Sequence, residues 1–98
     1  MSASSCELSG LEDLRIFVHE TLCDYEQLVT DAFPMTERIL IRGERPCGIF
    51  FCLHGPRSVK ITAIWETDRN MILFYGSRGE RFRKVQLIAA PSLLLATA

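Results

Sequence analysis

The segment Cys47–Tyr75, CGIFFCLHGPRSVKITAIWETDRNMILFY, leaves this chain few folds to choose from. Three runs rich in Val, Ile, Phe, Trp and Tyr are separated by His54-Gly55-Pro56-Arg57 and Thr67-Asp68-Arg69-Asn70. Gly, Pro, Asn and Asp at those points supply the backbone conformations that tight connections need, so the runs read as strands. Connections this short cannot hold the crossover that a parallel pair requires, so neighbouring strands are antiparallel.

The alternation extends to both sides of the segment. Strands are expected at 38–42, 47–54, 58–66, 70–76 and 81–88, with further turns at Gly43–Pro46 and Ser77–Glu80. Upstream the period changes to 3.6. Leu11, Leu14, Val18, Leu22, Tyr25, Leu28, Val29 and Ala32 form one apolar stripe, and Ser9-Gly10-Leu11-Glu12 fits a capping box. Pro34 pushes its predecessor out of the helical region, which predicts a helix over 9–33. The expected fold class is α+β: one long N-terminal α-helix packed on a five-stranded antiparallel β-meander, with a small five-stranded barrel as the alternative. The 98 residues form a single domain over 1–98, in which Ser-rich residues 1–8 are disordered and 89–98 are a tail.

Turn geometry also predicts a register. Pairing Arg42 with Cys47, Leu53 with Ser58, Glu66 with Met71 and Ser77 with Glu80 sorts the side chains onto two faces. One face collects Ile39, Ile41, Phe50, Cys52, Val59, Ile61, Ala63, Trp65, Ile72, Phe74, Val85 and Leu87, a surface suited to the helix stripe. The other collects Leu40, Ile49, Phe51, Leu53, Ile64, Met71, Leu73, Tyr75 and Phe82. Nine large apolar side chains make a patch beyond what monomers expose, so this second face needs a cover. The tail after Pro91, closure into a barrel, and a second copy are the candidates; a homodimer is the simplest closed solution.

Net charge is −1, which excludes a general polyanion binder, but the charge is unevenly spread. Residues 1–37 carry about −7 and residues 38–98 about +6. The two segments are expected to attract one another within the monomer. Cys6, Cys23, Cys47 and Cys52 allow disulfides, yet MSASSCELSG has no secretory character and no run approaches membrane-spanning length. A cytoplasmic chain with reduced thiols, no membrane association, no metal and no cofactor is expected.

Cys52 and His54 stand two apart on one strand, the spacing that brings a base to a thiol. Against catalysis stands the expected position of Cys52 beneath the helix. Cys47, Cys52 and His54 with His19 or Cys23 lack the paired short-spaced knuckles of zinc sites. The arginine-bearing turns at 54–57 and 76–79 have amides that can cradle phosphate, but neither leads into a helix. A candidate nucleic-acid set comprises Lys60, Arg69, Arg78, Arg81, Arg83 and Lys84, with Arg57 nearby and with Phe51, Tyr75 and Phe82 as stacking platforms. The same charges also suit an edge strand guarded against aggregation.

Asp68-Arg69-Asn70, after Trp65, resembles the Asp-x-x-Asn turn of Sm-like RNA-binding barrels, whose element order is also a helix and five strands. The likeness covers residues 58–88, is one residue short in spacing and lacks that family's bent glycine-bearing strand. It implies a barrel with RNA near that turn. From the residues themselves, the expectation is a non-enzymatic protein-interaction or scaffold module that self-associates through the open sheet face. RNA or single-stranded DNA binding is the alternative.

Overall fold

The computed structural model describes residues 4–6, 10–30 and 32–87. Strand β1 (Ser4–Cys6) precedes helix α1 (Leu11–Tyr25), and five further strands follow: β2 (Met35–Arg42), β3 (Arg45–His54), β4 (Lys60–Glu66), β5 (Met71–Tyr75) and β6 (Arg81–Leu87). The sheet order is β1-β6-β5-β4-β3-β2, with β2 to β6 antiparallel in sequence order and β1 parallel to β6. The helix crosses one face of this open sheet, so the α+β meander is the fold and the barrel is not formed. β1 is an addition to the expected meander, and it places a strand in residues 1–8, which were expected to be disordered. The predicted tail lies outside the described residues.

The helix ends nine residues before Pro34. Gln27 takes φ 56°, Leu28 N–H donates to the Cys23 carbonyl at 2.8 Å and Gln27 N–H donates to the Asp24 carbonyl at 3.2 Å. This is a Schellman closure with glutamine where glycine is usual, so neither glycine nor asparagine marks the stop. At the other end Gly10 is the N-cap and makes no side-chain cap hydrogen bond; Ser9, the expected cap, lies outside the described residues. Leu14, Val18 and Leu22 are fully buried, whereas Tyr25 and Val29 of the predicted stripe are 40% and 72% exposed.

The core is filled by Ile49, Phe51 and Leu53 of β3, Ile61, Ala63 and Trp65 of β4, Ile72 and Phe74 of β5, and Val85 and Leu87 of β6. This corrects the expected face of β3. His54 pairs with Lys60, not Leu53 with Ser58. The connection is longer than expected because Arg57 and Ser58 both take positive φ, at 58° and 64°, and Val59 N–H closes the turn onto the Pro56 carbonyl at 3.1 Å. The change in pairing is odd, and an odd change turns every side chain of β3 over. Ile49, Phe51 and Leu53 therefore lie under the helix, while Phe50 and Cys52 lie on the far face.

The β2–β3 hairpin carries a second odd change. Ile39 opposes Ile49, and Arg42 opposes Arg45 across a two-residue turn with Gly43 and Glu44 at φ 57° and 68°. The two changes cancel at β2, so Ile39 keeps its expected helix-side position and Leu40 its position on the open face. Ile41 also keeps its parity but is 67% exposed. In β6 a bulge opposite Phe74 and Tyr75 turns Phe82 toward the helix, where its ring stacks on Tyr25 at 3.6 Å and lies 5.9 Å from Phe74. Phe82 thus leaves the open face as well.

The expected attraction between acidic and basic segments is not carried by ion pairs among the described residues. The ion pairs among the described residues are Arg15–Glu12, Arg15–Glu37 and Arg42–Asp68, and none joins a helix carboxylate to a sheet base. Glu12, Asp13, Glu20 and Asp24 are exposed on the helix layer, while Arg38, Arg42, Lys60 and Lys84 stand on the opposite side of the sheet. Among the described residues no helix is long and apolar enough to cross a membrane.

Candidate interaction face

Antiparallel pairing places the outward side chains in cross-strand rows, because paired residues share a face. One row reads Arg38, Phe50, Ile64, Leu73 and Lys84 from β2 to β6. The next reads Thr36, Cys52, Thr62, Tyr75 and Arg81, and the row on the other side reads Leu40, Gly48, Glu66, Met71 and Gln86. Leu40, Phe50, Ile64, Met71, Leu73 and Tyr75 are all partly exposed. They form one apolar patch with cations at both ends of its central row. Of the nine side chains expected here, Leu40, Ile64, Met71, Leu73 and Tyr75 are present; Ile49, Phe51, Leu53 and Phe82 belong to the core. Phe50 was missed because β3 is apolar on both faces from Ile49 to Leu53, so alternation could not choose between them.

The patch grades into a shallow groove at the His54 end, bordered by Thr36, Arg38, Phe50, Cys52, His54, Lys60 and Thr62. The Arg38 guanidinium lies 5.8 Å from the centre of the Phe50 ring, a cation–π contact. His54 Nε2 and Thr36 Oγ1 are hydrogen-bonded at 3.0 Å. Cys52 is 7% exposed and faces the groove, not the helix. The His54 ring is thus held by Thr36 on the same face as Cys52. Among the described residues no three His, Cys, Asp or Glu side chains are grouped to hold a metal ion.

The six bases of the candidate nucleic-acid set are not all brought together. Lys60, Arg81 and Lys84 stand on the open face, Arg81 beside Tyr75. Arg81 is exposed at the β6 bulge, and Arg83 turns toward the helix with its guanidinium 5.7 Å from the Phe17 ring centre. Arg69 and Arg78 sit in turns at opposite ends of β5.

The arginine-bearing turn at 76–79 has another occupation. In the 76–80 turn the Glu80 carboxylate accepts the Arg78 N–H at 3.0 Å and the Tyr25 hydroxyl at 2.8 Å. The chain's own anion thus fills the amide cradle that a phosphate would need. Hydrogen bonding from its own backbone N–H, and then from Tyr25, holds the Glu80 carboxyl below its usual value. The same bond to Glu80, with burial adding to it, raises the Tyr25 hydroxyl. A side chain at Gly76 would run into the Glu80 carboxylate and the Tyr25 ring and would displace this clasp.

The turn resembling the Sm-like site is likewise engaged structurally. Asn70 takes φ 50°, accepts the Trp65 indole N–H at 3.1 Å and donates to the Leu87 carbonyl at 3.2 Å. Gln86 adds a bond to the Arg69 carbonyl at 2.7 Å. The Asn70 amide is thus committed to the core tryptophan and to β6. The chain matches no protein-family model, and comparison with curated proteins and with solved structures finds no match.

Proposed function

We propose that this protein is a non-enzymatic interaction module that self-associates through the open sheet face. The carrying observation is the contiguous patch of Leu40, Phe50, Ile64, Met71, Leu73 and Tyr75 on the side of the sheet away from the helix. Burial of this surface against a second copy removes apolar area from water at about 25 cal/mol per Å², the dominant favourable term in most associations. Two sheets of this size stack about 10 Å apart with their outward side chains interdigitated.

The experiment is the solution mass, by sedimentation or light scattering, with Phe50→Glu and Leu73→Glu. A dimer that either substitution converts to monomer supports the reading. A strict monomer, unchanged in behaviour by either substitution, removes it.

A second reading is supported by the cations around the patch. Arg38 over Phe50, with Lys60, Lys84 and Tyr75 on the same face, combines a stacking surface with phosphate partners. It predicts binding to single-stranded RNA or DNA that weakens steeply with salt. Absence of any gel shift at low salt eliminates it.

A further inference from the structure

Strand β4 runs through the middle of the open face and carries opposite charges on that face at its two ends. Lys60 stands at one end and Glu66 at the other, three outward positions apart. Neither takes part in an ion pair among the described residues. The rows between them are centred on Thr62 and Ile64, close to the middle of the apolar patch. Reversing β4 over its counterpart therefore brings these two opposite charges together, while Arg38, Arg42, Arg81 and Lys84 are further cations on the same face.

Resting on the self-association proposed above, we infer that the second copy docks about a two-fold axis lying between the sheets, perpendicular to β4 at the level of Ala63. That axis reverses β4 over its counterpart, so Lys60 faces the partner's Glu66 and Glu66 faces the partner's Lys60. It also sets Ile64 against the partner's Thr62 and Leu73 against the partner's Tyr75. An axis along the strands places Lys60 on the partner's Lys60 and Glu66 on the partner's Glu66, and like charges so opposed are unfavourable. Lysine and glutamate side chains together reach across the spacing of about 10 Å between packed sheets. The same axis sets Lys84 toward the partner's Arg81 near the sheet margin, and the crossing of packed sheets at about 30° carries those margins apart and leaves Arg38, Arg81 and Lys84 in water.

Symmetry doubles every contact, so each charge reversal acts twice in one dimer. Lys60→Glu and Glu66→Lys are each expected to weaken dimerisation roughly tenfold, and the double variant Lys60→Glu/Glu66→Lys is expected to restore it. Glu20→Lys, a charge reversal on the exposed helix layer away from this face, is the control and is expected not to weaken it. Lys60 is exposed and Glu66 partly so, and circular dichroism verifies that each variant is folded.

Carbodiimide coupling of a mixture of isotopically light and heavy wild-type chains provides an independent readout. It is expected to yield a Lys60–Glu66 isopeptide joining one light to one heavy chain. A wild-type monomer overturns the self-association reading and this inference with it. A dimer in which the double reversal fails to recover affinity, or in which Lys60–Glu66 coupling occurs only within one chain, overturns the axis and leaves self-association standing.

Discussion

Gln27 holds a left-handed backbone conformation, at φ 56°, that costs an L-residue with a side chain roughly 1–2 kcal/mol. The hydrogen bonds from Gln27 and Leu28 back into the last helical turn repay it. Gln27→Gly keeps those bonds and removes the steric cost, less the greater freedom glycine has when unfolded. A net gain of about 0.5–1 kcal/mol is expected, read as a higher urea midpoint at unchanged slope. Gly48 shows the opposite constraint: a methyl there would run into the carbonyl oxygen of Trp65, which is backbone and cannot swing away. Gly48→Ala is expected to destabilise by about 1–3 kcal/mol in the same assay.

Glu80 gives a pH signature. Its folded-state pKa lies below the ordinary carboxylate value, so its contribution to stability is fully present above that value and is lost as pH falls through the lowered one. Unfolding midpoints followed into acid should therefore fall less steeply for Glu80→Gln than for the parent chain. The exposed position of the clasp keeps this difference small.

Among the elements, β3 separates what alternation reveals from what it conceals. Strands β4 and β5 alternate cleanly between core and open face, and both the Glu66–Met71 pairing and the resulting faces follow from their residues. β3 is apolar at every position from Ile49 to Leu53, so its orientation depends on the length of the turn after His54. That turn is built from Arg57 and Ser58 at positive φ, a conformation that neither residue type announces. The helix end is hidden for the same reason at Gln27. The open face was legible as a surplus of apolar residues needing a cover, and Leu40, Ile64, Met71, Leu73 and Tyr75 were placed on it; Phe50 was not, because its strand was turned over. The observed register has a direct check. Phe51→Ala removes a fully buried ring and is expected to cost about 3–5 kcal/mol, whereas Phe50→Ala, on the open face, is expected to cost much less in the monomer. Equal losses would contradict this orientation of β3.

For the molecule as a whole, the two layers carry opposite charge. The exposed carboxylates of α1 lie on one side, and Arg38, Arg42, Lys60, Arg81 and Lys84 lie on the other with Glu66 among them. A second copy laid helix-on-sheet would match those charges but leave the same surfaces free at each end, which makes an open stack. The two-fold arrangement closes instead. At the sheet margin, β1 covers β6, pairing Ser4 with Val85 and Cys6 with Leu87. Removing residues 1–6 is expected to lower hydrogen-exchange protection of the β6 amides, while the β3–β4 amides keep theirs. The loss of those few ladder bonds, at about 0.5–1.5 kcal/mol each, sets the expected drop in stability.

That same pairing has a consequence for how the protein is made. Synthesis runs from the amino end, so Ser4–Cys6 leaves the ribosome well before the strand it pairs with. The hairpins of β2 to β5 join close neighbours and can form as they emerge, whereas β1 must wait for Leu87 while tethered through α1. Until then the newly made edge of β6 is open to the wrong strand, and the strand made before the other five described is the one that finally shuts it.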